Sequence, residues 1–426
     1  MKIAVIADDL TGANDTGVQF ARSGLSTSVL LEYNPLCTPE LDTIVIDTDS
    51  RSLPAQEAYS CVQKAAEFVK GLPVEIIYKK IDSTLRGNIG TELDALHDTF
   101  QSDFILIAPA YPQNNRKVIN GELFLNQTRL HETEFAHDPK TPITESYIPS
   151  LIEKSSKYKV GLITHEDLAS GIERKLEEFY RNNIPYILFD SSTEEDLHHI
   201  VEKVSDTAYR LIWAGSAGLA TQLVKKIKKD GLGPISSEEM SNSVLLVVGS
   251  VNKKNKKQLE LLLKQPGIKG IKLISHRFLK DEKSKLSEVD RILNEAAAAF
   301  RNHYHVVLFT SSEEEEIKTA NYYGNLNGKS ATMVSDLISE VIGSITAHLV
   351  QMFSIQRLFL TGGDTAKKAC VSIGINRFDL IDEIETGLPL GVLVSNDNKK
   401  INAVTKAGGF GSEKALLHSL EVLQKV

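Results

Sequence analysis

The sequence predicts an α/β protein of two domains, each a mostly parallel sheet covered by helices. Three observations carry this. Short β-branched runs alternate with longer segments of helical apolar period through most of the first half. A stretch from Lys225 to Ser243, rich in Lys, Gly, Ser and Glu, then loses nearly all apolar periodicity. Beyond it the alternation restarts. At 426 residues, 42% hydrophobic and 24% charged, the chain is longer than a typical single domain, so domains over 1–230 and 243–426 are expected.

Taken in order, the first strand is the apolar run Lys2–Ala7, followed by a loop with capping residues and a helix. Thr43–Asp47 is a second β-branched run, and Pro54 marks the first turn of a helix to Lys70. Ile76–Lys80, a helix Asn88–Phe100 and Phe104–Ala108 continue the alternation. Val160–Thr164, a helix Glu166–Asn182, Tyr186–Asp190 and Leu211–Ala214 complete the first half. In the second half Ser243–Gly249 reads as a strand and the residues up to Leu263 as a helix. Strands follow near Ile271 and Val306, then a long helix from about Ser335 to Phe353 and a strand Arg357–Leu360. Leu388 to Phe410 reads as two or three strands before a last helix to Val426. No internal repeat, low-complexity tract or heptad pattern is visible.

Lys+Arg 48 against Asp+Glu 56 leaves a net charge of −8, which disfavours a nucleic-acid or anionic-membrane partner. Cys37, Cys61 and Cys370 lack the short spacings of zinc or redox sites and read as buried thiols of a reducing cytosol. Met1 to Ala7 shows no basic leader, and no apolar run approaches the roughly 18 residues of a membrane helix. A cytoplasmic protein is expected.

Chemistry concentrates where predicted strands end. Ala7-Asp8-Asp9-Leu10-Thr11-Gly12, Asp47-Thr48-Asp49-Ser50-Arg51 and Lys79-Lys80-Ile81-Asp82-Ser83-Thr84-Leu85-Arg86 each follow a strand, at the sheet edge where α/β proteins bind ligands. Each has a plain structural reading: a helix cap at Asp8 or Thr11, a salt bridge from Arg51 to Asp47 or Asp49, a solvated turn at Lys79–Arg86. Three such loops together make a site more specific than any one, and cations beside a candidate base suit a small polyhydroxy anion. Ala108–Arg116, rigid and amide-rich, is placed as a wall of the same cleft. His131 and His137 lack helical metal-ligand spacing.

The second half offers glycine instead. Val247-Val248-Gly249-Ser250, Leu360-Thr361-Gly362-Gly363-Asp364 and Lys406-Ala407-Gly408-Gly409-Phe410-Gly411 each precede a helix. Glycine lets backbone N–H groups approach phosphate oxygens, and the helix dipole favours their charge. Neither the Gly-Lys-Ser/Thr phosphate loop nor Gly-x-Gly-x-x-Gly after the first strand is present. The combination implies a bilobal phosphotransferase with its active site in the interdomain cleft.

Ala7–Asp15, Asp47–Arg51, Lys79–Gly90, Gly215–Ala220, Thr361–Thr365 and Lys406–Gly411, in that order, resemble the motifs of the four-carbon acid sugar kinase family. The resemblance implies an N-terminal sugar-acid domain, a C-terminal nucleotide domain, and ATP-dependent phosphorylation of a four-carbon aldonate. Asn14–Gln19 and Lys80–Arg86 are closest to the threonate kinase branch, so D-threonate to D-threonate 4-phosphate is expected, with D-erythronate or 3-oxo-tetronate as alternatives. Carried over by motif, Asp9, Arg51, Lys80, Ile81, Asp82 and Ser83 would contact the sugar acid, with Asp8 beside them. Ser250, Thr361, Gly362, Gly363, Asp364 and Gly408, with Gly409, would contact ATP. In the expected mechanism Asp9 or Asp82 is the base and Arg51 clamps the substrate carboxylate. Lys80 and Arg86 offset developing charge, and Mg²⁺ bridges ATP oxygens with Asp364 as a candidate ligand. Two other classes, a Mg²⁺-dependent phosphatase and a non-enzymatic sugar-acid sensor, leave the glycine loops without use.

Overall fold

The computed structural model describes residues 2–32, 41–137, 142–227, 243–249, 253–311 and 313–426. The chain divides into two compact units, Met1–Leu232 and Gly233–Val426. Most of the expected linker lies outside the described residues, as does Cys37.

In the first unit, strands β1 (Ile3–Ala7), β2 (Thr27–Leu30), β3 (Thr43–Asp47), β4 (Ile76–Lys80) and β5 (Phe104–Ala108) lead into a small antiparallel sheet. That sheet comprises β6 (Arg116–Ile119), β7 (Glu122–Leu125) and β8 (Thr128–Arg129). The chain then returns to the main sheet through β9 (Val160–Ile163), β10 (Tyr186–Phe189) and β11 (Leu211–Gly215). Main-sheet order is β2-β3-β1-β4-β11-β5-β10-β9, every neighbouring pair parallel. Strands β1, β3 and β5 are buried along their whole length, which is why β1 and β5 read as unbroken apolar runs and β3 as an apolar centre, rather than alternating.

Strand β1 sits between β3 and β4. The chain leaves it toward one side of the sheet and later returns on the other, creating a switch point at its carboxyl end. Ala7 pairs with Asp47 on one side and Lys80 on the other, and Lys80 pairs with Gly215. The loops after these strands therefore start at one level.

In the second unit, β12 (Leu245–Val248), β13 (Ile268–Leu273), β14 (His305–Thr310), β15 (Arg357–Thr361), β16 (Ile375–Glu383), β17 (Pro389–Ser395) and β18 (Lys400–Lys406) lie in the order β13-β14-β12-β15-β18-β17-β16. Pairing is parallel from β13 through β18 and antiparallel for β18-β17-β16. Leu246, Val248, Phe359, Leu388, Val404 and Leu416 lie at the centre of its core.

Two α/β units are thus present, as the pattern predicts, with local differences. The expected helix Glu166–Asn182 is two, His165–Ser170 and Glu173–Arg181, because Gly171 at φ 106 ends the first. The helix Ala331–Phe353 corrects the reading that no segment is apolar and long enough for a membrane span, since by length and composition it qualifies. It packs on the helix Gly363–Ile373 so closely that a Cβ at Gly343 would lie 2.9 Å from the Lys368 carbonyl oxygen. Half of its apolar window is buried, so its composition serves helix packing. Cys370 is buried, which pushes its thiol up to about 12, whereas Cys61 is only half-buried, against expectation.

Candidate functional site

The three acidic and cationic loops of the first unit meet at the carboxyl ends of β1, β3 and β4. Asp9 caps the helix Leu10–Arg22, its Oδ1 accepting from the Gly12 N–H at 2.8 Å. Arg51 reaches across from the loop after β3. Its Nε and Nη2 donate to Asp8 at 2.8 and 2.9 Å, and its Nη1 and Nη2 to Asp9 at 2.6 and 2.7 Å. Four of the roughly five guanidinium N–H groups are thereby taken, and both prongs expected for a ligand carboxylate are engaged by the protein. The structural partners considered from sequence, Asp47 and Asp49, are not the ones used in these bonds. Asp47 instead accepts from the Asp49 N–H at 2.9 Å.

Lys80 brings its ammonium to the same place. A Cβ on Gly12 would lie 2.8 Å from both Asp9 Oδ1 and Lys80 Nζ, so only glycine lets this close approach form. Lys80 Nζ donates to the Ile81 carbonyl at 2.9 Å, and the Ile81 N–H is held by Gly215 at 3.0 Å. Asp82 accepts from Arg86 Nε at 2.6 Å and Thr84 Oγ1 at 2.5 Å, while Arg86 lies over the Phe135 ring. Ser83 is half-buried on the same loop.

The three carboxylates differ in charge environment. Burial opposes ionisation of Asp8, but the Arg51 guanidinium outweighs it and holds the carboxyl below its usual range. For Asp9 burial wins, helped by the charges of Asp8 and Asp82, so its carboxyl is raised. Asp82 is buried too, yet Arg51 and Arg86 bring it far below the usual range. Asp9 is also the most open of the three, its side chain 23% exposed against 4% for Asp8 and 11% for Asp82.

Beneath this edge lies a support that sequence reading missed. Lys79, grouped from sequence with the site cations, is fully buried and pairs with Glu92 of the helix Ile89–Phe100 at 2.7 Å. Glu92 also accepts from Ser50 Oγ at 2.6 Å, and Ser50 meets Thr48 Oγ1 at 2.8 Å, so the pair anchors the loop that carries Arg51. Strand alternation was the available signal, since consecutive lysines in a strand must face opposite ways. In the amide-rich loop, Arg116 Nη1 donates to the Asn114 carbonyl at 3.2 Å, while burial pulls the guanidinium below its usual pKa against the charge of Asp82.

The glycine loops of the second unit share a corresponding edge. Val248 pairs with Thr361 and Thr361 with Lys406, so β12, β15 and β18 end together. Gly249 approaches the helix Gly363–Ile373 so tightly that a Cβ would sit 2.0 Å from Thr365 Oγ1. Gly362, at φ 95, turns the chain from β15 into that helix. Gly409 differs: a Cβ there meets nothing within 4 Å, so its backbone borders open space. Gly408 beside it is half-buried, Asp364 is exposed in the first helical turn, and Ser250 lies outside the described residues.

Lys406 and Gln258 hold this edge together. Lys406 Nζ donates to Asn255 Oδ1 at 2.6 Å and to the Ala407 and Gly408 carbonyls at 3.1 and 3.2 Å, joining the glycine loop to the helix Lys253–Leu263. Burial, with the nearby Lys254 charge, lowers its ammonium to about 7. Gln258 Nε2 donates to the Phe410 and Ser412 carbonyls at 3.3 and 2.6 Å. Among the described residues no group of three His, Cys, Asp or Glu side chains is placed to hold a metal ion.

Known proteins resemble the chain over its whole length. A family profile described as a sugar-binding N-terminal domain matches residues 3–223, and one described as a nucleotide-binding C-terminal domain matches 245–416. A D-threonate kinase of Salmonella typhimurium is 31% identical over 100% of this chain and 99% of its own. A D-erythronate kinase of Heliobacterium modesticaldum is 26% identical over 99% and 97%. A Salmonella typhimurium LT2 crystal structure carrying the name tRNA synthase superposes with a TM-score of 0.82, at 25% identity over 98% of both chains.

Proposed function

The chain belongs to the four-carbon acid sugar kinase family, and from that premise we propose that it transfers the γ-phosphoryl group of ATP to D-threonate, giving D-threonate 4-phosphate. The observation that carries this reading is the meeting of Asp8, Asp9, Arg51, Lys80, Asp82 and Arg86 at one sheet edge, inside the segment that matches a sugar-binding domain. Residues 1–230 take the sugar acid and 243–426 the nucleotide. The work belongs in the cytoplasm, where ATP is available.

Phosphoryl transfer is chiefly positioning and charge neutralisation, with a base for the hydroxyl proton. The acceptor hydroxyl oxygen bonds to the γ-phosphorus, the bond to ADP breaks, and the proton passes to Asp9. Asp9 suits this role better than Asp82 because it is more open and its carboxyl is raised, whereas Arg86 and Thr84 pin Asp82 in its weakly basic form. Arg51 holds the two aspartates in place and keeps an N–H for the sugar acid, which Ile81 and Ser83 flank. Lys80 and Arg86 offset the developing charge.

Thr361, Gly362, Gly363, Gly408 and Gly409, together with Ser250, supply the phosphate cradle. Mg²⁺, if bound with ATP, would supply further charge neutralisation. Such an ion needs only one or two carboxylates besides phosphates and water, a demand the exposed Asp364 meets. A phosphatase nucleophile is a poor fit to Asp8, which is 3% exposed with both oxygens held by Arg51.

Coupled detection of ADP across D-threonate, D-erythronate, 3-oxo-tetronate and pentonates tests the reading. D-threonate is expected to give the highest kcat/KM, and ADP release with none of these acids would overturn it. Gly363→Val is expected to raise the ATP KM about tenfold or more, the loss of one charge-assisted hydrogen bond being ~1.5–3 kcal/mol, with the D-threonate KM near normal. Unaltered ATP binding in titration calorimetry would remove Gly363 from the cradle.

A further inference from the structure

The cations at the sugar-acid edge are nearly all spent on the protein itself. Arg51 is held by two aspartates, Arg86 by Asp82, and Lys79 by Glu92. Lys80 lies beside Asp9, where it can serve the reacting hydroxyl. A four-carbon acid nevertheless brings a carboxylate that needs a partner of its own.

Arg116 is differently placed. It begins β6, directly after the turn Pro112–Asn114, and the left-handed Asn115 at φ 56 folds Asn114 back against it. Among the described residues its buried Nε finds no acceptor, and neither does the buried Asn114 Nδ2. Its Nη1 bond to the Asn114 carbonyl, 3.2 Å long, fixes the two residues together. Gly215 pairs with Lys80 on one side and with Ala108 on the other, so the loop after β5, where Tyr111 bridges to Arg116, starts at the same level of the sheet as the loop after β4.

We infer that Arg116, with Asn114, is the receptor for the carboxylate of the sugar acid. The inference rests on the acceptor class proposed above and adds a residue that none of the loops after β1, β3 or β4 contains. The Nε edge of a guanidinium is a planar fork matched to the two oxygens of a carboxylate, and here Nε has no partner among the described residues. A buried donor left unmade is costly to a fold, so its persistence is explained by an acceptor that arrives with the ligand. Because Nε is shielded in the free protein, binding requires the guanidinium to turn this edge toward the entering acid.

Arg116→Ala and Arg116→Lys test this, with D-threonate as substrate and its neutral counterpart D-threitol as competitive inhibitor. Arg116→Ala is expected to raise the D-threonate KM about 10- to 100-fold, the range of a charge-assisted pair. The threitol Ki and the ATP KM should change less than about threefold, within the scatter of a lost minor contact. Arg116→Lys should fall between, keeping charge without the fork. The Arg116→Ala melting temperature should equal or exceed the wild-type value, since an unsatisfied donor is removed. Equal weakening of threonate and threitol, a raised ATP KM, or an unchanged threonate KM would each overturn the assignment. If the wild-type protein turned over no D-threonate at all, the acceptor proposal itself would fail, a result separate from these.

Discussion

Asp9→Asn is expected to lower kcat with D-threonate by about 10²-fold or more, the usual scale of a general base, while the protein stays folded and binds ATP normally. Asparagine is as good a helix cap as aspartate, so the Gly12 N–H keeps its acceptor and the helix Leu10–Arg22 its start. Arg51 keeps both bonds to Asp8. What disappears is the ability to take a proton, together with the bond from Arg51 Nη1 to Asp9 Oδ2, where the amide presents a donor. The pH profile supplies an independent readout. A base works only when deprotonated, and burial raises the Asp9 carboxyl above its ordinary 3.8. The acid limb of kcat/KM should therefore lie above that value, with activity falling as pH drops through it. The limb should be absent in Asp9→Asn. Asp82→Asn should keep the limb but move it to lower pH, because Asp82 is ionised throughout this range and its charge helps to raise Asp9. A wild-type rate in Asp9→Asn would remove the residue from the role.

How far the site was legible in the sequence depended on where its information resides. Strands β1, β3 and β4 end in chemistry-bearing loops, and their short β-forming runs are local signals, so the clusters could be found without coordinates. The partners of Arg51 could not. Local spacing pointed to Asp47 and Asp49, whereas the bonds run to Asp8 and Asp9, 43 and 42 residues away. Only the parallel pairing of β1 with β3 brings them together. Strand β16 was missed for a different reason. Its polar Asn376, Arg377, Asp379 and Asp382 interrupt the apolar pattern, and pairing with β17 makes it a strand. Strand β2, four residues long, is too short to announce itself. Lys406 was visible only as part of a glycine motif. Its three oxygen acceptors, one of them Asn255 from a helix 151 residues earlier, exist only in the folded second unit.

Glu92→Gln is expected to have the largest effect on stability, through the pair beneath the site. Removing one member of a buried ion pair leaves the other charge uncompensated, at a cost of about 3–5 kcal/mol. Lys79 has no exposed surface at which to recover solvation. For a unit of this size the loss corresponds to roughly 10 °C in melting temperature, measurable by calorimetry. Replacing both members, as Lys79→Met with Glu92→Leu, should restore stability to within about 1 kcal/mol or exceed it, because the pair itself contributes little against its desolvation. Function should not recover in parallel. Ser50 loses the acceptor that ties its loop to the helix Ile89–Phe100, and that loop positions Arg51 across Asp8 and Asp9. The double variant should thus melt like the wild type yet show a lower kcat with D-threonate, separating the cost of an orphaned charge from the positioning of the carboxylates. If Glu92→Gln melted at the wild-type temperature, the buried Lys79 would have to be compensated by something other than Glu92, and the argument for this anchor would fail.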